Sequence, residues 1–149
     1  SKRSHMTGFR VGAVMSTNTE IMAYFRLCRS PIGVGTPTFN QVAGITAWND
    51  ENHVQISRKQ YAAKRRVIRQ SLESKGFDIY GGKHGFYFWL SHPQVQSSDE
   101  LCDLFLNKNI CVTPGTVFGE DGQGYIRIVY CIPRLECQKL CDRIAELEI

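Results

Sequence analysis

The sequence predicts a mixed α/β chain that closes in an α+β unit from about residue 50 onward. Three observations lead there. A long helical stretch near residues 53–75 carries an apolar stripe. Short strand-like runs separated by glycine turns follow it. Residues 1–30, by contrast, offer one strand and one helix, too few elements to bury a core of their own, and read as the tail end of another domain.

Taken in order, residues 8–15 (Gly-Phe-Arg-Val-Gly-Ala-Val-Met) read as a short buried strand entered through a glycine turn. Thr17 or Asn18 can cap a helix over about 19–28. Pro31, Gly33, Gly35 and Pro37 break the chain, and Thr38 can cap a helix over 39–49. In the long helix Val54, Tyr61, Ile68 and Leu72 share one stripe, and Gly76 stands where a helix-ending glycine usually stands. Residues 77–80 and 86–90 flank a Gly-Gly-Lys-His-Gly loop and predict a hairpin. Ser98 can cap a helix over 99–107. Residues 110–113 and 125–131 read as further strands. Pro133 opens a last helix with Leu135, Leu140, Ile144 and Leu147 inward.

Composition is that of an ordinary globular chain, with 149 residues, 42% hydrophobic and 21% charged. No apolar run is longer than residues 86–90, which is far too short for a membrane span. The start, Ser-Lys-Arg-Ser, has neither an initiator Met nor a signal-peptide core, so a fragment or processed product is expected. Six cysteines without a Cys-x-x-Cys pair predict reduced, mostly buried thiols in a cytoplasmic protein. Cys137 and Cys141 stand four apart on a helix, but no histidine lies near in sequence, and a structural role is expected rather than a metal site. His5, His53, His84 and His92 are scattered and read as surface or structural residues. The net charge of +4 suits anionic small molecules.

Two segments carry chemistry. In the first, Lys2 is followed eight residues later by Arg10, between Gly8 and Gly12. This sets an amine near a guanidinium fork that matches a phosphate with two parallel hydrogen bonds. An amine forms an imine with an aldehyde only when deprotonated, and a neighbouring cation favours that form. On spacing alone, a flexible basic terminus is the plainer reading. In the second, Pro114-Gly115-Thr116-Val117-Phe118-Gly119 precedes Gly122-Gln123-Gly124-Tyr125-Ile126-Arg127-Ile128. On a strand, Tyr125, Arg127 and Val129 share one face, and Ile126, Ile128 and Tyr130 the other. An arginine among apolar neighbours calls for an anionic partner. An edge-strand arginine reaching solvent or a structural aspartate remains the open alternative.

Ser-Lys-Arg-Ser-x-x-x-Gly-x-Arg-x-Gly resembles the cofactor-lysine segment of fold-type I, pyridoxal-phosphate-dependent aminotransferases. Pro-Gly-x-x-Phe-Gly-x-x-Gly-x-Gly-Tyr-x-Arg-Ile resembles the segment of that family whose arginine clamps the substrate α-carboxylate. The resemblance covers essentially the whole chain. It implies that Lys2 carries pyridoxal 5'-phosphate, that Arg10 holds its phosphate and that Arg127 holds the substrate carboxylate. It also implies amino acid and 2-oxo acid substrates, a homodimer, and a chain that is the C-terminal part of a fold-type I enzyme. Residues 1–45 would be the tail of the large, cofactor-binding domain with an interdomain helix, and 46–149 the small domain. Ala-Trp-Asn-Asp-Glu-Asn-His-Val at 47–54 and Gly-Phe-Tyr-Phe-Trp at 85–89 also look familial. With Ser-Lys-Arg-Ser, the former resembles the N-succinyldiaminopimelate aminotransferase branch of lysine and cell-wall biosynthesis.

The family's aspartate at the pyridine nitrogen, its phenolic-oxygen tyrosine and its asparagine lie upstream of the lysine, in a large domain absent from these residues. The isolated chain is therefore expected to be inactive without that domain, and a non-catalytic fragment or interaction module is the competing reading. A basic nucleic-acid-binding helix is a third. Arg58, Lys59, Lys64, Arg65, Arg66, Arg69 and Lys75 crowd one stretch. A solvated face whose basic stems cover apolar surface is the commoner arrangement, so neither nucleic acid nor membrane is expected as a partner. Phe86 could line a substrate pocket, though a core role is the commoner one.

Overall fold

A computed structural model describes residues 2–33 and 35–149. The chain divides into two compact units, residues 1–57 and 58–149, with the division inside one long helix.

In the first unit a 3-10 turn at Thr7–Phe9 precedes α1 (Thr19–Ile32) and α2 (Thr38–Asn49). Asn18 caps α1, its side chain accepting from the backbone N–H of Glu20 at 2.9 Å and of Ile21 at 3.1 Å. The helix predicted over 39–49 begins one residue earlier, because Pro37 and not Thr38 occupies the cap position. The strand expected over 8–15 does not form. Arg10 turns the chain into the left-handed region at φ 50°, which breaks any extension. Among its described residues this unit offers no ladder for 11–15 to join. Much of the apolar surface of α1 and α2 is exposed, including Leu27, Ile32, Phe39, Ile45 and Trp48.

The second unit contains most of α3 (Asn52–Glu73), then β1 (Asp78–Tyr80), β2 (Tyr87–Ser91), α4 (Ser98–Leu106), β3 (Thr113–Pro114), β4 (Tyr125–Val129) and α5 (Arg134–Ala145). The strands form one antiparallel sheet in the order β1-β2-β4-β3. Its inner face supplies Phe88, Leu90, Ile126 and Ile128, which pack with Ile68 and Leu72 of α3, Leu101 and Phe105 of α4 and Ile144 of α5. The expected stripe on α3 is present: Val54, Ile68 and Leu72 are buried, and Tyr61 packs at the edge of the core. A hydrogen bond to Cys131 Sγ and partial burial push the Tyr61 phenol up to about 12. Truncating Ile68 or Leu72 to Ala removes a fully buried branched side chain. Each change is expected to destabilise the protein by about 3 kcal/mol, read as a lower urea midpoint at unchanged slope.

The end of α3 follows the glycine rule. Gly76 adopts φ 81°, its N–H bonds Glu73 O at 3.0 Å, and the Phe77 N–H reaches back to Leu72 O at 3.3 Å. Buried His92 lies against the same turn, with Nε2 3.1 Å from Lys75 O, so its role is structural. The hairpin forms as expected, though β1 starts at Asp78.

Several elements depart from the sequence reading. The strand expected over 110–113 shrinks to Thr113–Pro114, because only those residues have a partner in β4. The strand expected over 125–131 ends at Val129, with one further backbone bond from the Tyr130 N–H to Phe86 O at 2.9 Å. Ser97, not Ser98, caps α4. Buried Ser98 instead donates its hydroxyl to Gly122 O at 3.0 Å and accepts from the Tyr125 N–H at 3.2 Å. On α5, Leu135 is exposed rather than inward. The buried stripe runs through Cys137, Leu140, Cys141 and Ile144, and Leu135, two residues before Cys137, falls on the opposite side.

The cysteines are less buried than expected. Only Cys137 is fully buried, Cys102 and Cys141 are half-buried, and Cys28, Cys111 and Cys131 are exposed. Burial pushes the thiols of Cys102, Cys137 and Cys141 up, which keeps them protonated and unreactive.

Candidate functional site

Lys2 and Arg10 stand at the two ends of one short segment of the first unit. The sequence pins that segment at three points. Arg3 donates to Ala47 O at 2.8 Å, pairs with the Glu51 carboxylate and lies 5.3 Å over the Trp48 ring. His5 Nε2 lies 2.7 Å from Ser57 Oγ. Asn40 Nδ2 donates to Phe9 O at 2.9 Å. On either side of these anchors the side chains of Lys2 and Arg10 are exposed, and Arg10 Nη1 donates to Thr7 O at 3.1 Å.

The glycines flanking Arg10 face open space: a Cβ at Gly8 or Gly12 would meet no atom within 4 Å. Nothing inside the chain demands glycine there, so room for an approaching group is what these positions leave. An amine and a guanidinium fork, both exposed on one anchored segment, fit an aldehyde that also carries a phosphate. Beyond Arg10, Val11 and Gly12 border an open hollow of about 720 Å³ that is also lined by Arg29, Gln41, Ile45 and Trp48.

Arg127 lies in the second unit, on the outer face of β4. Register places it in a single row that crosses all four strands: Tyr80, Trp89, Arg127 and Thr113. Its guanidinium lies 4.6 Å from the Phe118 ring centroid and 5.7 Å from that of Tyr87. Arg127 Nη2 reaches Thr113 Oγ1 at 3.5 Å, the limit of a hydrogen bond. Arg127 Nε is buried with no hydrogen-bond partner. Among the described residues no carboxylate pairs with this cation. The aspartate-paired edge arginine that the sequence left open is therefore not what forms.

The loop that brings Phe118 over Arg127 is held by two glycines. A Cβ on Gly115 would stand 2.2 Å from Gly122 O, and one on Gly122 would stand 2.1 Å from Gly115 O. No side chain fits at either position.

Sequence reasoning named Arg127 but missed the rings around it. Phe86, the residue singled out for a pocket, packs against the core, and its neighbour Tyr87 is the one beside Arg127. Strand alternation could have pointed to Tyr87 and Trp89 together. Nothing in the sequence shows that Trp89 pairs with Arg127. Part of the basic run on α3 is turned to its own unit, while Arg58, Lys59 and Arg66 are exposed. Lys64 donates to Ile132 O and Lys75 to Leu147 O. Arg69 pairs with Glu73, donates to Gly81 O and lies over Phe88.

A family model described as aminotransferase class I and II matches residues 1–144. The chain is 32% identical to an LL-diaminopimelate aminotransferase of Aquifex aeolicus, covering 100% of this chain and 39% of the relative. It is 34% identical to a 4-dedimethylamino-4-oxo-anhydrotetracycline transaminase of Streptomyces rimosus, covering 87% of this chain and 35% of that protein. Among solved structures, an aminotransferase from Neisseria meningitidis superposes with a TM-score of 0.79 at 32% identity, over 99% of this chain and 38% of that one. The chain thus spans under two-fifths of the length of these relatives.

Proposed function

We propose, from the premise that this chain belongs to the class I and II aminotransferase family, that it serves as the C-terminal part of a pyridoxal-phosphate-dependent enzyme moving an amino group between an amino acid and a 2-oxo acid. The observation that carries the reading is Arg127, a half-buried cation with an unpartnered Nε and, among the described residues, no carboxylate paired with it. Leaving a buried donor unpaired costs about 1–3 kcal/mol, so such a group persists where an incoming anion completes it. An α-carboxylate is the anion common to both substrates.

Bound pyridoxal phosphate would supply the electron sink for the reaction. Lys2 would hold it covalently through the side-chain amine, and Arg10 would hold its phosphate. The Lys2 amine, when free, would act as base and acid for the proton at the substrate α-carbon. Arg127, by fixing the carboxylate, would decide which bond at the α-carbon is aligned for cleavage. Residues 1–45 would belong to the cofactor-binding domain and 46–149 to the small domain, in a cytoplasmic homodimer. Several relatives are diaminopimelate aminotransferases, which supports a diaminopimelate-type amino donor. The N-succinyl form is the finer proposal, resting on the 47–54 segment and Ser-Lys-Arg-Ser.

Reduction by borohydride tests the cofactor role. In the polypeptide that carries this chain, incubation with pyridoxal phosphate and reduction is expected to label Lys2, located by peptide mass mapping. Equal labelling of the Lys2→Ala variant, or label scattered over surface lysines, would count against the reading and favour a non-catalytic module.

A further inference from the structure

We infer that Phe118 is a positioning residue for substrate binding, holding the Arg127 guanidinium by its ring face so that the in-plane N–H donors stay available to a carboxylate. The inference rests on Arg127 being the carboxylate clamp, and extends it to how the clamp is kept ready.

A surface arginine is usually fixed by a neighbouring carboxylate. That would occupy the same in-plane edge a substrate needs, and binding would then have to break an ion pair first. Here the fixing groups approach differently. Phe118 presents its ring 4.6 Å from the guanidinium carbon and Tyr87 presents its own at 5.7 Å. Attraction between a cation and an aromatic face needs no in-plane donor. Among the described residues the polar contact is to Thr113 Oγ1, at 3.5 Å, and it leaves Nε unpartnered.

Phe118 itself is set by its surroundings. It ends the 3-10 turn Gly115–Phe118, whose start is locked against Gly122. Its ring meets Trp89 edge-on at 5.5 Å, and Trp89 in turn stacks on Tyr125 at 5.7 Å. Phe118 remains 53% exposed, so its ring is open on one side to a ligand approaching Arg127. Loss of the ring would leave Arg127 with more rotamers to lose on binding.

The test is an NMR titration of the 149-residue chain, following the Arg127 Nε–H resonance, assigned by its absence in Arg127→Lys. Propionate is the probe, and propionamide is the neutral control of the same shape. The wild-type resonance is expected to shift with propionate and not with propionamide. Phe118→Leu is expected to weaken propionate binding roughly three- to fivefold. Phe118→Tyr, which keeps the ring, is expected to restore it, with melting temperatures alike in all three. Wild-type affinity in Phe118→Leu overturns the positioning role and leaves the clamp standing. A Phe118→Tyr variant as weak as the Leu variant overturns it too, because the ring face would then not be what matters. Absence of any propionate response in the wild type overturns the carboxylate reading of Arg127, and the inference with it.

Discussion

Replacing Arg127 with Ala is expected to lower kcat/KM for amino transfer at least about a hundredfold, with the fold intact. A bidentate, charge-assisted pair with a carboxylate contributes on the order of 3–5 kcal/mol when neither bond is replaced, and each 1.4 kcal/mol is a factor of ten. Alanine leaves no donor in its place. The cost to stability should be small, within about 1 kcal/mol, because the side chain lies on the outer sheet face and the change also removes an unsatisfied buried donor. The measurement is steady-state kinetics of the polypeptide that carries this chain, beside a urea denaturation curve. A loss under tenfold would deny Arg127 its role. A collapse of the denaturation midpoint would make it a structural residue. Lys at the same position keeps the charge but not the fork, and should recover only part of the activity.

The second large effect is on stability. Gly115→Ala and Gly122→Ala are each expected to destabilise the second unit by about 3 kcal/mol or more. The new Cβ would stand 2.2 Å from Gly122 O in the first case and 2.1 Å from Gly115 O in the second. These are backbone atoms, so no side chain can swing aside, and the whole loop must move. The movement would also disturb Ser98, whose hydroxyl bonds Gly122 O and the Tyr125 N–H. Gly8→Ala is the control: its Cβ would meet no atom within 4 Å, and a change within about 0.5 kcal/mol is expected. Equal denaturation midpoints for Gly115→Ala and wild type would show that the loop is not tightly packed.

The second unit was largely legible because its elements are periodic and punctuated. The α3 stripe and the stop at Gly76 are local features, and the alternation of Ile126 and Ile128 with Arg127 holds in any sheet. What failed depends on pairing. Residues 8–15 are apolar enough for a strand, yet a strand exists only where another offers its edge. Leu135 was misplaced because Pro133 marks where the helix starts but not its rotation. For the candidate site, the ionic residues stood out in sequence because charge among glycines and apolar residues is conspicuous. The rings of Phe118 and Tyr87 did not, since an aromatic residue in a strand or loop is ordinary. Only the pairing of β2 with β4 and the folded-back loop bring them to Arg127.

The row Tyr80, Trp89, Arg127 and Thr113 would tie the proposed recognition of a substrate carboxylate to correct folding. Side chains alternate between the two faces of a sheet, so a slip of β4 by one residue would exchange every neighbour at once. Arg127 would turn into the apolar interior with its charge unmatched, and Ile126 and Ile128 would turn out to water. A misaligned chain would thus be unstable and unable to grip a carboxylate for the same reason. On the proposed reading, the arginine that would bind the substrate carboxylate would also proofread the alignment of the strands.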